Sequence, residues 1–291
     1  MSSVRLAKLH ATGNDFLVHV AEPGADLDGA QVRALCDRRR GIGADGVLTL
    51  GRGRDGSDAT MTLRNADGGP AEMSGNGARC LAWVAVREGM AHDGRLVVDT
   101  GGGRRDIELG IDPASGDLVA ATVDMGPVTF DPARIPFEGA SPFDVEAEFH
   151  GVTYRGDAAG MGNPHLVLFV DDPATARVTQ HGPRLEHDPR FPQRTNVEFV
   201  AVTGPDTITM RVWERGVGET LSCGTGACAT AAVAHRRGLV GDHVLVRVPG
   251  GELTVDLGAT IRLGGPVVHV FDVDVDPDAV TLHADPEGVT A

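Results

Sequence analysis

At 291 residues the chain has room for two domains of about 150 each. Its apolar fraction of 41% excludes a disordered chain, and aromatics at only 4% leave Val, Leu and Ala to fill the interior. A net charge of −15 argues against nucleic acid or an anionic membrane as partner, but not against a small anionic substrate held by local helix termini.

Val4 to Leu9 alternates apolar and polar residues as a half-buried strand does. No signal peptide is read in Met1 to His10, and no apolar run approaches a membrane span of roughly 20 residues. The strand runs into the turn-rich His10-Ala11-Thr12-Gly13-Asn14-Asp15-Phe16. Gln31 to Arg40 reads as a helix with a basic end, which suits the negative end of the helix dipole. Gly41 to Gly46 is a tight loop into a strand at Val47 to Leu50, and Met61 to Arg64 is a strand closed by the turn Asn65 to Gly69. A helix is expected from Gly75 to Glu88, striped by Leu81, Val84 and Ala85 and stopped at Gly89. Leu96 to Asp99 is the next strand, and the Pro-, Gly- and Asp-rich stretch from Asp124 to Pro142 carries the domain boundary. Further strands are read at Leu166 to Val170, Thr207 to Val212, Val244 to Val248, Leu253 to Val255 and Val267 to Phe271. A second helix spans Gly224 to Arg237, with Gly238 after it, and the tail beyond Asp276 carries little signal.

The second helix start repeats the first. Ser74-Gly75-Asn76-Gly77-Ala78 and Cys223-Gly224-Thr225-Gly226-Ala227 are 223 − 74 = 149 positions apart. The same offset aligns Gly13-Asn14 with Gly162-Asn163, Ala82 with Ala231, Gly89 with Gly238 and Leu96-Val97 with Leu245-Val246. Such self-similarity is the mark of a duplicated unit. The fold class is therefore α+β, with domains expected at 1–126, completed by about 268–291, and 127–267. The Gly-x-Gly turns are not embedded in a βαβ unit that would bind a dinucleotide.

The cysteines, Cys36, Cys80, Cys223 and Cys228, have neither zinc spacing nor disulfide density, so a reduced, cytoplasmic protein is expected. Lys8 is the single lysine and lies in a strand, which disfavours pyridoxal chemistry. Cys223 stands where helix dipole and first-turn N–H groups lower a thiol pKa and can also bind a carboxylate. Two such units suit removal of a proton from one face of an α-carbon and its return on the other. Asn14, Asn65, Asn163, His165, Asn196, Glu214 and Arg215 cluster at strand ends. Each alone fits a turn or an exposed pair, but together they suit a zwitterionic substrate.

Nearly the whole chain resembles the diaminopimelate epimerases. The resemblance is carried by His10 to Phe16, Arg40 to Gly46, Arg64 to Gly68, Glu72 to Cys80, Met161 to His165, Asn196 to Val200 and Trp213 to Cys228. It implies two pseudo-symmetric mixed-sheet domains, each wrapped around a central helix, with the active site in the cleft between them. It implies a cofactor-free enzyme, with a homodimer as the assembly expected by analogy, that interconverts LL- and meso-diaminopimelate in lysine and peptidoglycan precursor biosynthesis. By the same resemblance Gly75, Asn76, Gly224 and Thr225 hold the reacting carboxylate. Asn14, Asn65, Asn163, Asn196, Glu214 and Arg215 hold the other polar groups, and His165 and Glu214 tune the thiols. The family carries a catalytic Cys before each glycine-rich turn, whereas this chain has Ser74 in the first. Ser74 is an introduced substitution, the mark of a paralogous racemase or eliminase with a Ser/Cys pair, or a sign of one working base. A non-catalytic amino-acid binder is the remaining alternative. The family's frequent Gln is also replaced, by Gly46.

Overall fold

The computed structural model describes residues 3–21, 26–149 and 151–284. The chain divides into two compact units, Met1–Val123 with Pro266–Ala291, and Asp124–Gly265.

In the first unit the elements run β1 (Val4–Ala11), β2 (Asn14–Val20), α1 (Gly29–Cys36), β3 (Gly46–Arg52), β4 (Ala59–Asn65), β5 (Pro70–Ala71), α2 (Gly75–Arg87), β6 (Arg95–Thr100), β7 (Gly103–Ile111) and β8 (Leu118–Gly126). The second unit follows with β9 (Val145–Phe149), β10 (Val152–Gly160), β11 (Pro164–Phe169), α3 (Val178–Glu186), β12 (Asn196–Gly204), β13 (Thr207–Glu214), β14 (Gly218–Thr220), α4 (Gly224–Arg236), β15 (His243–Val248), β16 (Gly251–Asp256) and β17 (Ile261–Pro266). The chain then returns to the first unit as β18 (Val268–Val275) and α5 (Pro277–Ala284).

The strand pairing in both units is mixed and follows one plan. In the first, β18, β1 and β2 are mutually antiparallel in that order, β2 is parallel to β3, β3 antiparallel to β4, and β4 parallel to β6. In the second, β9, β10 and β11 are antiparallel, β11 is parallel to β12, β12 antiparallel to β13, and β13 parallel to β15. The place of β9 is taken in the first unit by β18, from the far end of the chain.

The helices the repeat announces are the crossovers of the parallel pairs β4–β6 and β13–β15. Small residues let α2 and α4 sit deep. In α4 every residue from Gly226 to Ala234 is buried, and a helix covered all round belongs to a core. In α2 the buried set includes Leu81, Val84 and Ala85. A second core in the second unit gathers Phe199, Phe191, Phe137, Leu166 and Leu185 on the other face of its sheet. In the first unit Leu6, Leu17, Val32 and Leu35 do the same. Burying one such side chain contributes roughly 1.5–3 kcal/mol.

The first helix is shorter than its sequence suggests. It ends at Cys36 because Asp37 turns its carboxylate onto the backbone N–H groups of Arg39 and Arg40, at 2.7 and 2.8 Å, leaving the basic residues beyond the helix. The signal-poor tail holds α5. Asp276 caps it by accepting from Asp278 N at 3.1 Å, and Val280 packs on the first unit's core. Residues 285–291 of that tail lie outside the described part. No described helix is long and apolar enough to cross a membrane.

Candidate active site

In the first unit the β1–β2 connection needs a left-handed backbone, which Gly13 supplies at φ 82°. The turn delivers Asn14 to the start of α2, where its Oδ1 accepts from Asn76 Nδ2 at 3.1 Å. Asn14 Nδ2 donates to Asp45 at 2.7 Å, and Arg38 bridges Asp45 and Asp15, at 2.6 Å each. Lys8 donates to Asp15 and to the Gly43 carbonyl. Burial raises the Asp15 pKa, but hydrogen bonds from Arg38 and Lys8 outweigh it and hold the carboxyl down to about 2. This ionic cluster fixes Asn14 from behind and occupies the only lysine.

Ser74 is the N-cap of α2. Its backbone is extended, at φ −139° and ψ 123°, and its Oγ accepts from Gly77 N at 3.0 Å. Gly75 and Asn76 are buried in the first turn, whose N–H groups lie beyond reach of the helix's own carbonyls. Asn65 is exposed at the end of β4. Gly46 is explained by its surroundings: a Cβ there would come within 2.6 Å of the Arg64 carbonyl, so this backbone admits no side chain.

The second unit repeats the arrangement. Gly162 at φ 88° makes the turn, and Asn163 Nδ2 donates to Thr225 Oγ1 at 3.4 Å. Asn14–Asn76 and Asn163–Thr225 are both pairs 62 positions apart, so one contact is built twice. Cys223 caps α4 as Ser74 caps α2. Its backbone is at φ −125° and ψ 112°, and its Sγ accepts from Gly226 N at 3.4 Å. Thr225 Oγ1 lies 3.5 Å from the sulfur.

Around Cys223 the unit adds groups that the first lacks. His165 is fully buried; its Nε2 lies 2.9 Å from Asn163 Oδ1, and its Nδ1 lies 2.7 Å from Glu198 Oε1. Glu214 accepts from Thr220 Oγ1 at 2.5 Å. Burial pushes the Glu214 carboxyl up. Asn196 accepts from Arg215 N at 2.9 Å and donates to the Pro164 carbonyl at 3.1 Å, while the Arg215 guanidinium donates to the Gln193 carbonyl at 3.1 Å.

The pKa of Cys223 corrects the sequence reading. Helix dipole and first-turn amides predict a lowered value. Burial first, then the Glu214 and Glu198 carboxylates, instead push the thiol well above the usual range, against the smaller help of Thr225 and Gly226 N–H. Cys223 is a protonated thiol at neutral pH in this state. Cys36 and Cys80 are buried and pushed up to about 12, by burial above all, and Cys228 is buried in α4.

Within each unit the structure brings a turn Asn, a helix start and a capping Ser or Cys together. Asn65 and Arg215 stand apart from these contacts. Sequence reasoning missed the Asp45–Arg38 cluster, Thr220 and Glu198. Glu198 did leave a signal, as a lone acid inside the otherwise apolar strand run Val197 to Val200.

The profile of the diaminopimelate epimerase family matches residues 6–130 and 158–266. A diaminopimelate epimerase from Thioalkalivibrio sulfidiphilus is 42% identical over 286 residues, covering 94% of this chain and 99% of that protein. One from Synechococcus elongatus is 42% identical over 278 residues, covering 92% and 97%. Among solved structures, a hydroxyproline epimerase from Agrobacterium vitis superposes with a TM-score of 0.69 at 19% identity, covering 94% of this chain and 91% of that one. A PhzF-family phenazine biosynthesis protein from Bacillus anthracis gives 0.67 at 14% identity, covering 94% and 99%. These distant structures share the fold.

Proposed function

The chain belongs to the diaminopimelate epimerase family, and on that footing we propose that it interconverts LL- and meso-diaminopimelate without a cofactor. The observation that carries the reading is the doubled half-site: a helix start able to bind a carboxylate, a turn Asn beside it, and a proton-transfer residue as its N-cap. Inversion needs one group to take the α-proton and another to return a proton on the opposite face. Cys223 and Ser74 are the two candidates. Asn14, Asn65, Gly75, Asn76, Asn163, Asn196, Gly224 and Thr225 serve as carboxylate and amino ligands, with Glu214 and Arg215 adding one charge of each sign. His165 and Glu214 tune the thiol.

The two proton-transfer positions are unequal. Cys223 rests as a thiol and is ready to donate. When it acts as base, its proton goes first to Glu214, the carboxylate whose charge bears most strongly on the thiol. Ser74 has a less acidic hydroxyl, and among the described residues of its unit its hydrogen-bond partner is Gly77 N–H. The step at Ser74 therefore limits the cycle, and proton exchange proceeds mainly from one isomer.

The test is α-proton exchange in deuterated water, run separately from LL- and meso-diaminopimelate, for this chain and for Ser74→Cys. Exchange from one isomer in the parent and from both in Ser74→Cys is expected. Equal, fast exchange from both in the parent would overturn the limiting role of Ser74. Binding without exchange in either protein would leave a binder and sink the epimerase reading.

The free thiols support a reducing, cytoplasmic setting. A homodimer is supported by β18, which is bonded to β1 on one edge and exposes Val268, Val270 and Phe271 at 45%, 51% and 42%. Light scattering on the eluted protein should give twice the chain mass; a monomer at micromolar concentration would refute it.

A further inference from the structure

Beneath Cys223 lies a carboxylate that the reaction above does not use. Glu198, on β12, is fully buried. Alternation along the strand sends Val197 and Phe199 into the aromatic core and turns Glu198 to the opposite face. There its Oε1 lies 2.7 Å from His165 Nδ1, while Oε2 has no hydrogen-bond partner among the described residues. A Cβ added to Gly226 would come within 2.7 Å of Glu198 Oε1 and 3.3 Å of Cys223 Sγ, so the carboxylate is wedged under the first turn of α4. A charge in such a place is costly unless it is paired.

The duplication shows that packing does not demand it. Register pairs Val18 with Leu48 in the first unit and Val167 with Glu198 in the second. Two residues earlier, Phe16 pairs with Gly46 and His165 with Asn196. Glu198 thus stands where the first unit has Leu48, and His165 where it has Phe16. The glycines agree: a Cβ on Gly77, the counterpart of Gly226, would meet Leu48 Cδ2 at 3.3 Å. The same fold fills this space once with two buried apolar side chains and once with an imidazole–carboxylate pair. The pair stands only behind the cysteine. From it a polar line runs through Asn163 Oδ1, at 2.9 Å from the ring, and Thr225 Oγ1, at 3.4 Å from Asn163 Nδ2, to Cys223 Sγ, at 3.5 Å from Thr225.

We infer that Glu198 is a positioning residue for proton transfer at Cys223, anchoring the His165 ring by Nδ1 so that Asn163 and Thr225 are held in line with the thiol. The inference rests on the epimerase reading. It assigns the asymmetry between the two half-sites to a buried pair as well as to the exchange of Cys for Ser.

The test uses the full chain with three readouts: α-proton exchange from each isomer, the Kd for diaminopimelate, and ring-nitrogen NMR of protein carrying nitrogen-15 histidine. Glu198→Gln keeps the volume and removes the charge; exchange at the isomer served by Cys223 should fall about tenfold. The double variant H165F/E198L copies the first unit's pair. It should melt within a few degrees of the parent, keep the Kd within about threefold and lose exchange about 100-fold. The His165 Nδ1–H cross-peak, protected by its buried bond, should be present in the parent and absent from Glu198→Leu. Parent-like exchange in the double variant, or a cross-peak that survives Glu198→Leu, overturns the inference. If the parent exchanges neither isomer, the functional reading fails, and the cross-peak still decides whether Glu198 holds the ring.

Discussion

At the scale of single residues, one atom separates Ser74 from its counterpart, and it changes two properties in opposite directions. As an N-cap the hydroxyl is the better group: its oxygen sits 3.0 Å from Gly77 N, against 3.4 Å for the Cys223 sulfur from Gly226 N. As a proton carrier it is the worse one. Ser74→Cys should therefore raise exchange by about 100-fold or more while costing about 1 kcal/mol of stability, read by urea unfolding. Cys80 gives a second residue-scale expectation. Its folded pKa is raised to about 12, from an ordinary value of 9.0, so the folded state keeps a proton that the unfolded chain releases. The stability it contributes is whole below the ordinary value and is lost as pH climbs through the raised one. Cys80→Ala should unfold about 1 kcal/mol more easily at neutral pH and show a flatter alkaline decline. Melting temperatures across the alkaline range measure this, and an unchanged slope would argue against the buried thiol.

At the scale of elements, α2 and α4 are built alike but seated differently. A Cβ added to Gly77 would meet Leu48 and the Ser74 Cβ at 3.2 to 3.4 Å, contacts that small shifts can relieve. A Cβ added to Gly226 would lie 2.7 Å from a carboxylate oxygen that is already committed to His165. Gly226→Ala should therefore destabilise more than Gly77→Ala, although both gain about 1 kcal/mol of helix propensity. Differential scanning calorimetry of the two variants decides the order; equal losses would mean that Glu198 moves aside freely. Both helices were legible from sequence because the glycine spacing, the apolar stripe and the stop at Gly89 or Gly238 agree locally. α3 was not, since it carries Gly182 and Pro183 inside and is held by tertiary contacts: Trp213 Nε1 donates to Glu186 at 2.8 Å, and Leu185 packs into the core.

At the scale of the whole molecule, duplication explains why β18 matters out of proportion to its length. The second unit gets its edge strand from β9, next in sequence to β10. The first borrows β18, which covers β1 from Val4 to His10 and adds Val273 and Val275 to the core. A chain ending at Val267 should keep the second unit's melting transition and lose the first unit's, with a drop in molar ellipticity to match. A single unshifted transition would show that β18 is dispensable.

The sequence by itself determined the repeat, its offset, the two helix starts and the family, because these rest on short-range patterns of glycine and of apolar spacing. It named the candidate site residues for the same reason. Only the tertiary structure decided what those residues meet. The pKa of Cys223 turned on burial and on two carboxylates from other strands, Glu198 and Glu214, rather than on its own helix. Only strand register showed that Leu48 and Glu198 hold equivalent places, each under the first turn of its own unit's helix. Desolvation and Coulomb attraction act through space, and neighbours in space are set by the fold.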